Sequence, residues 1–130
     1  MANGYQSREV NPQSTSGLNT TGATIAKGTI VVRVTSTNGI EPANAATDVI
    51  LGVAGEDIEA GSYGRVVIRG TVPVLFAAAQ VIGARVAANA AGKAAAAVAG
   101  NAIVGIACEV GAADTLAEVE LAGPGGGAMA

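Results

Sequence analysis

The apolar residues of this chain come in short runs of β-branched side chains, cut by glycine, asparagine and acidic residues. TIVVRVT (29–35), DVILGVA (48–54), RVVIRGTVPVLF (65–76), ARVAA (84–88), KAAAAV (93–98), AIVGIACEV (102–110) and TLAEVEL (115–121) each read as a strand. Strands this short, with turn residues between them, predict an all-β fold, a small barrel or sandwich. Asn38-Gly39 is a hairpin signal, because both residues tolerate positive φ. Gly70 and Pro73 mark a bulge or an edge in the run that holds them. The alanine-rich FAAAQVIG admits one short helix near 76–83, since alanine costs least in a helix. Cys108 falls in an apolar alternating run and reads as a small, buried core residue.

Two segments, VILGVAGEDIEAGSYGRVVI (49–68) and AIVGIACEVGAADTLAEVEL (102–121), repeat one pattern. Gly52, Val53, Ala54, Glu56, Ala60, Ser62, Val66 and Ile68 recur 53 positions later as Gly105, Ile106, Ala107, Glu109, Ala113, Thr115, Val119 and Leu121. Upstream, Gly39 aligns with Gly92 at the same offset. Further back, Gly28 and Val31 align with Gly83 and Val86 at an offset of 55. A slip of two preserves the inward and outward faces of a strand, whose side chains alternate with period two. The β-domain, residues 23–122, is therefore expected to contain two similar β-units, about 25–72 and 80–122. Two units are too few for a solenoid and fit two halves closing on each other. Residues 1–22 are polar and aperiodic and read as an extended N-terminal arm, with Tyr5, Val10 and Leu18 as its anchors for contact with a neighbouring subunit. GPGGGAMA (123–130) reads as a flexible, glycine-rich tail.

Composition removes several functions. Half of the 130 residues are hydrophobic, but they are mainly small, with no Trp, one Phe (Phe76) and two Tyr (Tyr5, Tyr63). A core of small side chains buries less area per residue, so association with other subunits is expected to add stability. The net charge is −3 and the cationic residues are scattered, which gives neither the basic patch nor the stacking aromatics of a nucleic-acid binder. The chain has no histidine and a single cysteine. No disulfide within the chain, no zinc cluster and no Ser-His-Asp arrangement can be assembled. Glu56, Asp57 and Glu59 lack calcium-loop spacing and read as a solvated loop tip. Asn19-Thr20-Thr21 has the form of a glycosylation sequon, but MANGYQSREV lacks the apolar core of a secretory signal, so the match reads as chance. No stretch approaches the ~20 apolar residues of a membrane helix. No catalytic, metal or cofactor site is expected, and the chain reads as a structural or interaction module rather than an enzyme.

Residues 25–121 resemble the head decoration, or capsid cement, proteins of tailed bacteriophages. The resemblance rests on Gly28-Thr29-Ile30-Val31-Val32, Val49-Ile50-Leu51-Gly52-Val53-Ala54, Ala60-Gly61, and Val66-Val67-Ile68-Arg69-Gly70-Thr71-Val72. It continues through Ala91-Gly92-Lys93-Ala94, Ile103-Val104-Gly105-Ile106-Ala107-Cys108-Glu109 and Val119-Glu120-Leu121. It implies a protein made in the host cytoplasm that binds the outer capsid surface of the virion and clamps neighbouring major capsid subunits, often as a homotrimer, with no chemistry of its own. Neither nucleic acid nor membrane is an expected partner. Another phage part, such as a tail or spike β-domain, and a small non-catalytic binding module remain as alternatives.

Overall fold

A computed structural model describes residues 10–34, 36–37, 39–46, 48–123 and 127–128, with backbone alone at 10, 11, 127 and 128. The fold is all-β. Its strands are β1 (Val10–Leu18), β2 (Ile30–Val34), β3 (Gly39–Pro42), β4 (Ile50–Ala54), β5 (Tyr63–Leu75), β6 (Arg85–Ala88), β7 (Ala94–Ala96), β8 (Ala102–Ile103), β9 (Gly105–Ala107), β10 (Leu116–Leu121) and β11 (Gly127–Ala128). One curled antiparallel sheet runs β3-β2-β4-β5-β10-β9-β6-β7, with β1 added on β5.

The two units are present, and their ladders superimpose by sequence number. In the first unit Ala54 pairs with Val66 and Val53 with Val67. In the second, Ala107 pairs with Val119 and Ile106 with Glu120, each 53 residues on. Ile30 pairs with Val53 and Val31 with Gly52; Arg85 pairs with Ile106 and Val86 with Gly105, at the offset of 55. The loops agree as well. Gly28 N donates to Ala54 O at 2.8 Å, as Gly83 N does to Ala107 O. Gly55 N donates to Arg65 O at 2.9 Å, and Cys108 N to Glu118 O at 2.8 Å. The bridge Ile25–Ile58 recurs as Gln80–Gly111.

The repeat reaches further back than residue 25. β1 pairs with the first half of β5, Ser14 with Val67 through Leu18 with Tyr63. The second half of β5 pairs with β10 in the same register, from Leu75 with Leu116 to Thr71 with Glu120. Residues 14–19 and 71–76 are therefore equivalent strands. β5 ends one unit and begins the next, with Gly70 (φ 95°) at the join. Each unit curls until its first strand reaches its third, through the parallel bridges Asn19–Ile40 and Phe76–Ala94.

Several local expectations change. Residues 76–83 form no helix: Phe76 bridges Ala94, Gln80 bridges Gly111, and the segment is otherwise turn and irregular. Tertiary burial of Phe76 and the pairing of Gln80 override alanine's helical preference. Residues 10–18 of the expected arm are strand β1, and Gly127–Ala128 of the expected tail pair with β8. Asn38 of the expected hairpin turn lies outside the described residues, and Gly39 is the first residue of β3 and pairs with Val34, so it sits in the ladder and not in a two-residue turn. A Cβ on Gly39 would lie 2.5 Å from the Thr20 side chain, so close approach of the chain from β1 requires glycine. Its counterpart in the ladder is Lys93, whose carbonyl receives Asn89 N, and not Gly92. Cys108 is exposed rather than buried. The inward phase of β9 is set by Gly105 and Ala107, as Gly52 and Ala54 set it in β4, and period two turns Ile106 and Cys108 outward.

Two clusters form the core. Ile25, Val31, Ile40, Ala54, Ile58 and Val66 fill the inside of the first unit. The larger cluster fills the second unit with Val72, Val74, Phe76, Val86, Ala94, Ala107 and Val119, and continues onto Ile30, Val53 and Val67 of the first. The packing is head to tail. Ile30, Val53 and Val67 are buried, whereas their counterparts Arg85, Ile106 and Glu120 lie exposed on the second unit. Two charged side chains flank Ile106 where a third unit would stack, the polar outer face that terminates stacked repeats.

Candidate functional site

Because the units share a backbone, each position has an internal control. Val81 and Ile82 lie in the turn after the Gln80–Gly111 bridge, and Val110 lies beside it. Their relative exposures are 70%, 65% and 69%. The same places in the first unit hold Ala26, Lys27 and Asp57, where Lys27 N donates to Asp57 Oδ1 at 2.8 Å. A turn that is polar and hydrogen-bonded in one copy is apolar and exposed in the other. Val98, also exposed, lies in the connection that follows β7. Burial of Val81, Ile82 and Val110 in a complex would gain on the order of 1.5–3 kcal/mol each by removal of apolar area from water, before the costs of association.

The first unit has a different feature. A hollow of ≈ 360 Å³ opens where β1 meets the start of β5, lined by Ser14, Ser16, Glu56, Tyr63 and Arg65 among others. Ser16 is opposite Arg65 and Leu18 opposite Tyr63 in the ladder. Arg65 Nη2 donates to Gly55 O at 3.1 Å, and Arg65 N donates to Glu56 Oε2 at 2.9 Å.

Of the three anchors expected from the sequence, Tyr5 lies outside the described residues. Val10 opens β1 and is described by its backbone alone, and Leu18 ends that strand half-buried opposite Tyr63. The exposed apolar turn and the hollow both escaped the sequence reading. The usable signal was a mismatch of character between repeat positions: Lys27 against Ile82, and Asp57 against Val110.

The acidic loop is occupied by the fold. Glu56 and Asp57 each accept a backbone N–H, and no group of three or more His, Cys, Asp or Glu suited to a metal ion occurs among the described residues. Asn19 of the sequon is fully buried, its Nδ2 donating to Ala23 O at 2.7 Å and Ile58 O at 2.8 Å. It satisfies carbonyls of the first unit and has no side-chain nitrogen exposed for glycosylation. Burial pushes the Cys108 thiol above its ordinary value. A backbone hydrogen bond at Glu120 opposes that shift, and the carboxylates of Glu120, Glu118 and Glu109 add to it.

The fold thus defines a small all-β class, two curled β-units that share one long strand. A solved structure with a similar fold is that of the head fiber gp8.5 N base in bacteriophage phi29. It aligns with a TM-score of 0.67 at 16% sequence identity, over 84% of this chain and 94% of that one. No protein-family model matches the chain, and no curated protein does.

Proposed function

We propose that this chain is a structural protein of a phage virion that sits on the outer surface of the head and braces neighbouring major capsid subunits. The observation that carries this reading is the likeness of nearly the whole fold to the base of a head fiber. The role is mechanical rather than catalytic. Clamping requires several weak contacts made at once, and a homotrimer multiplies whatever one chain offers. In this reading the apolar turn of the second unit, Val81, Ile82 and Val110, faces the shell, because it is the place where the two copies differ most in exposed apolar character.

The test is co-sedimentation of the purified chain with expanded heads that lack it, followed by counting copies per head. Saturable binding in multiples of three, with raised resistance of the heads to heat, is the expected result. A monodisperse monomer that leaves the heads bare would overturn the proposal. Incorporation into tails alone would move the chain to another part of the virion.

A further inference from the structure

We infer that the hollow between β1 and β5 is a subsite for a neutral saccharide. Its lining is chemically mixed in a particular way. Ser14, Ser16 and Tyr63 bring three hydroxyls, each able to donate and accept. Arg65 brings a planar cationic donor and Glu56 an acceptor, so the two charges in the hollow balance. A polyol ring, whose vicinal hydroxyls both donate and accept, fits such a set. A free anion meets Glu56 and a free cation meets Arg65. Tyr63 is 72% exposed. An aromatic ring held in water on a sheet face offers an apolar plane for the C–H face of a sugar, with a polar tip alongside. The ≈ 360 Å³ hollow falls in the size range of small-molecule sites.

Two further observations support it. The polar groups are preset: the Arg65 guanidinium is held on Gly55 O and the Glu56 carboxylate on Arg65 N, so little ordering remains to be done on binding. The second unit has the same backbone without the same chemistry. Its counterparts are Thr71, Pro73, Glu109, Leu116 and Glu118, with no aromatic, no cation and two carboxylates. The constellation therefore belongs to one copy and is not a by-product of the fold.

The inference goes beyond attachment to a head and is tested on the isolated full chain, so its failure leaves the head assignment untouched. The chain has two tyrosines and no tryptophan, so tyrosine fluorescence of a Tyr5→Phe variant reports Tyr63 alone. Galactose, maltotriose and chitotriose serve as neutral probes, glucose 6-phosphate and glucosamine as charged comparators, and glycerol as the control for bulk polyol. The expected result is a saturable change with at least one neutral sugar. Glu56→Gln and the double variant Ser14→Ala, Ser16→Ala should each weaken it at least about tenfold, the scale of a lost charge-assisted hydrogen bond. Leu116→Ala, at the equivalent place in the second unit, should leave it unchanged. No saturable response to any neutral sugar, a response confined to a charged comparator, or a response indifferent to Glu56→Gln would each overturn the assignment.

Discussion

The ring of Phe76 occupies the space where Gly111 would carry a side chain: a Cβ built on Gly111 lies 2.4 Å from Phe76 Cδ2. In the first unit the same two positions hold Asn19 and Ile58. The exchange is part of a pattern. Gly17 beside Ile40 becomes Val74 with Ala94, and Gly64 beside Ile58 becomes Ala117 with Gly111. Bulk moves from the loop and third-strand positions of the first unit to the first strand of the second. Both interiors are filled, as close packing requires, with few residues in common.

Gly111→Ala is expected to destabilise the protein by ~1–3 kcal/mol, because the ring is fully buried and the added methyl would press directly on it. Phe76→Ala should cost more, ~3–5 kcal/mol. A urea double-mutant cycle should show the two substitutions coupled, since the smaller residue at 76 makes room for the methyl at 111. Simple additivity would contradict the packing described.

Gly52 and Gly105 are equivalent and should behave alike. A Cβ would lie 2.2 Å from Val67 O in one case and 2.1 Å from Glu120 O in the other. Both obstacles are backbone, which cannot rotate away. Alanine at either site should break the β4–β5 or β9–β10 ladder, seen as loss of soluble protein or a cooperative transition well below that of the parent. An unshifted melting temperature for either variant would count against this geometry.

The next pair isolates backbone conformation. Gly61 has φ 78° and nothing within 4 Å of a built Cβ, and its counterpart Asp114 has φ 60°. Gly61→Ala should cost ~1–2 kcal/mol from the left-handed conformation alone. Asp114→Gly relieves the same strain but removes a surface ion pair with Lys93, itself worth ~0.2–1 kcal/mol. Chemical denaturation should find Asp114→Gly close to neutral and Gly61→Ala clearly destabilising.

Cys108 should be exposed yet slow to react. Its folded-state thiol is raised, chiefly by desolvation and then by nearby carboxylates, and the thiolate is the nucleophile. Alkylation by iodoacetamide should therefore rise with pH at a midpoint above that of an unstructured thiol, and Glu120→Gln should lower that midpoint. The unfolded chain loses this proton first as pH climbs. The contribution of Cys108 to stability is thus present below the ordinary thiol range and declines as pH rises through it.

Ile82→Lys with Val110→Asp installs in the second unit the residues found in the first. The backbone already accepts them at Lys27 and Asp57, so stability should change by no more than about 0.5 kcal/mol, as for other surface substitutions. Head binding in the co-sedimentation assay should be lost. Retained binding by the folded variant would place the contact elsewhere on the surface.

The strand runs, the two offsets and the presence of two units were legible in the sequence, because the 52–68 and 105–121 segments share one glycine (Gly52, Gly105) and β-branched residues (Val53 with Ile106, Val66 with Val119) at matched positions. Alternation set which side of each strand faces inward, and glycine marked where backbones approach. The pattern could not reveal β1 as a repeat strand. Ser14-Thr15-Ser16-Gly17-Leu18-Asn19 shares only Leu18 with Thr71-Val72-Pro73-Val74-Leu75-Phe76, and its hydrogen bonds to β5 are made by backbone, which carries no residue signature. The phase of Cys108, the irregular path of residues 76–83 and the two surface features were likewise set by neighbours distant in the chain. Local sequence determined where strands form and how they alternate. Which strand meets which, which face the other unit covers, and whether a given position is filled by its own side chain or by a partner's were decided only when the units packed together. Burial depends on the sum of both sides of a contact, and the sequence of one side does not contain it.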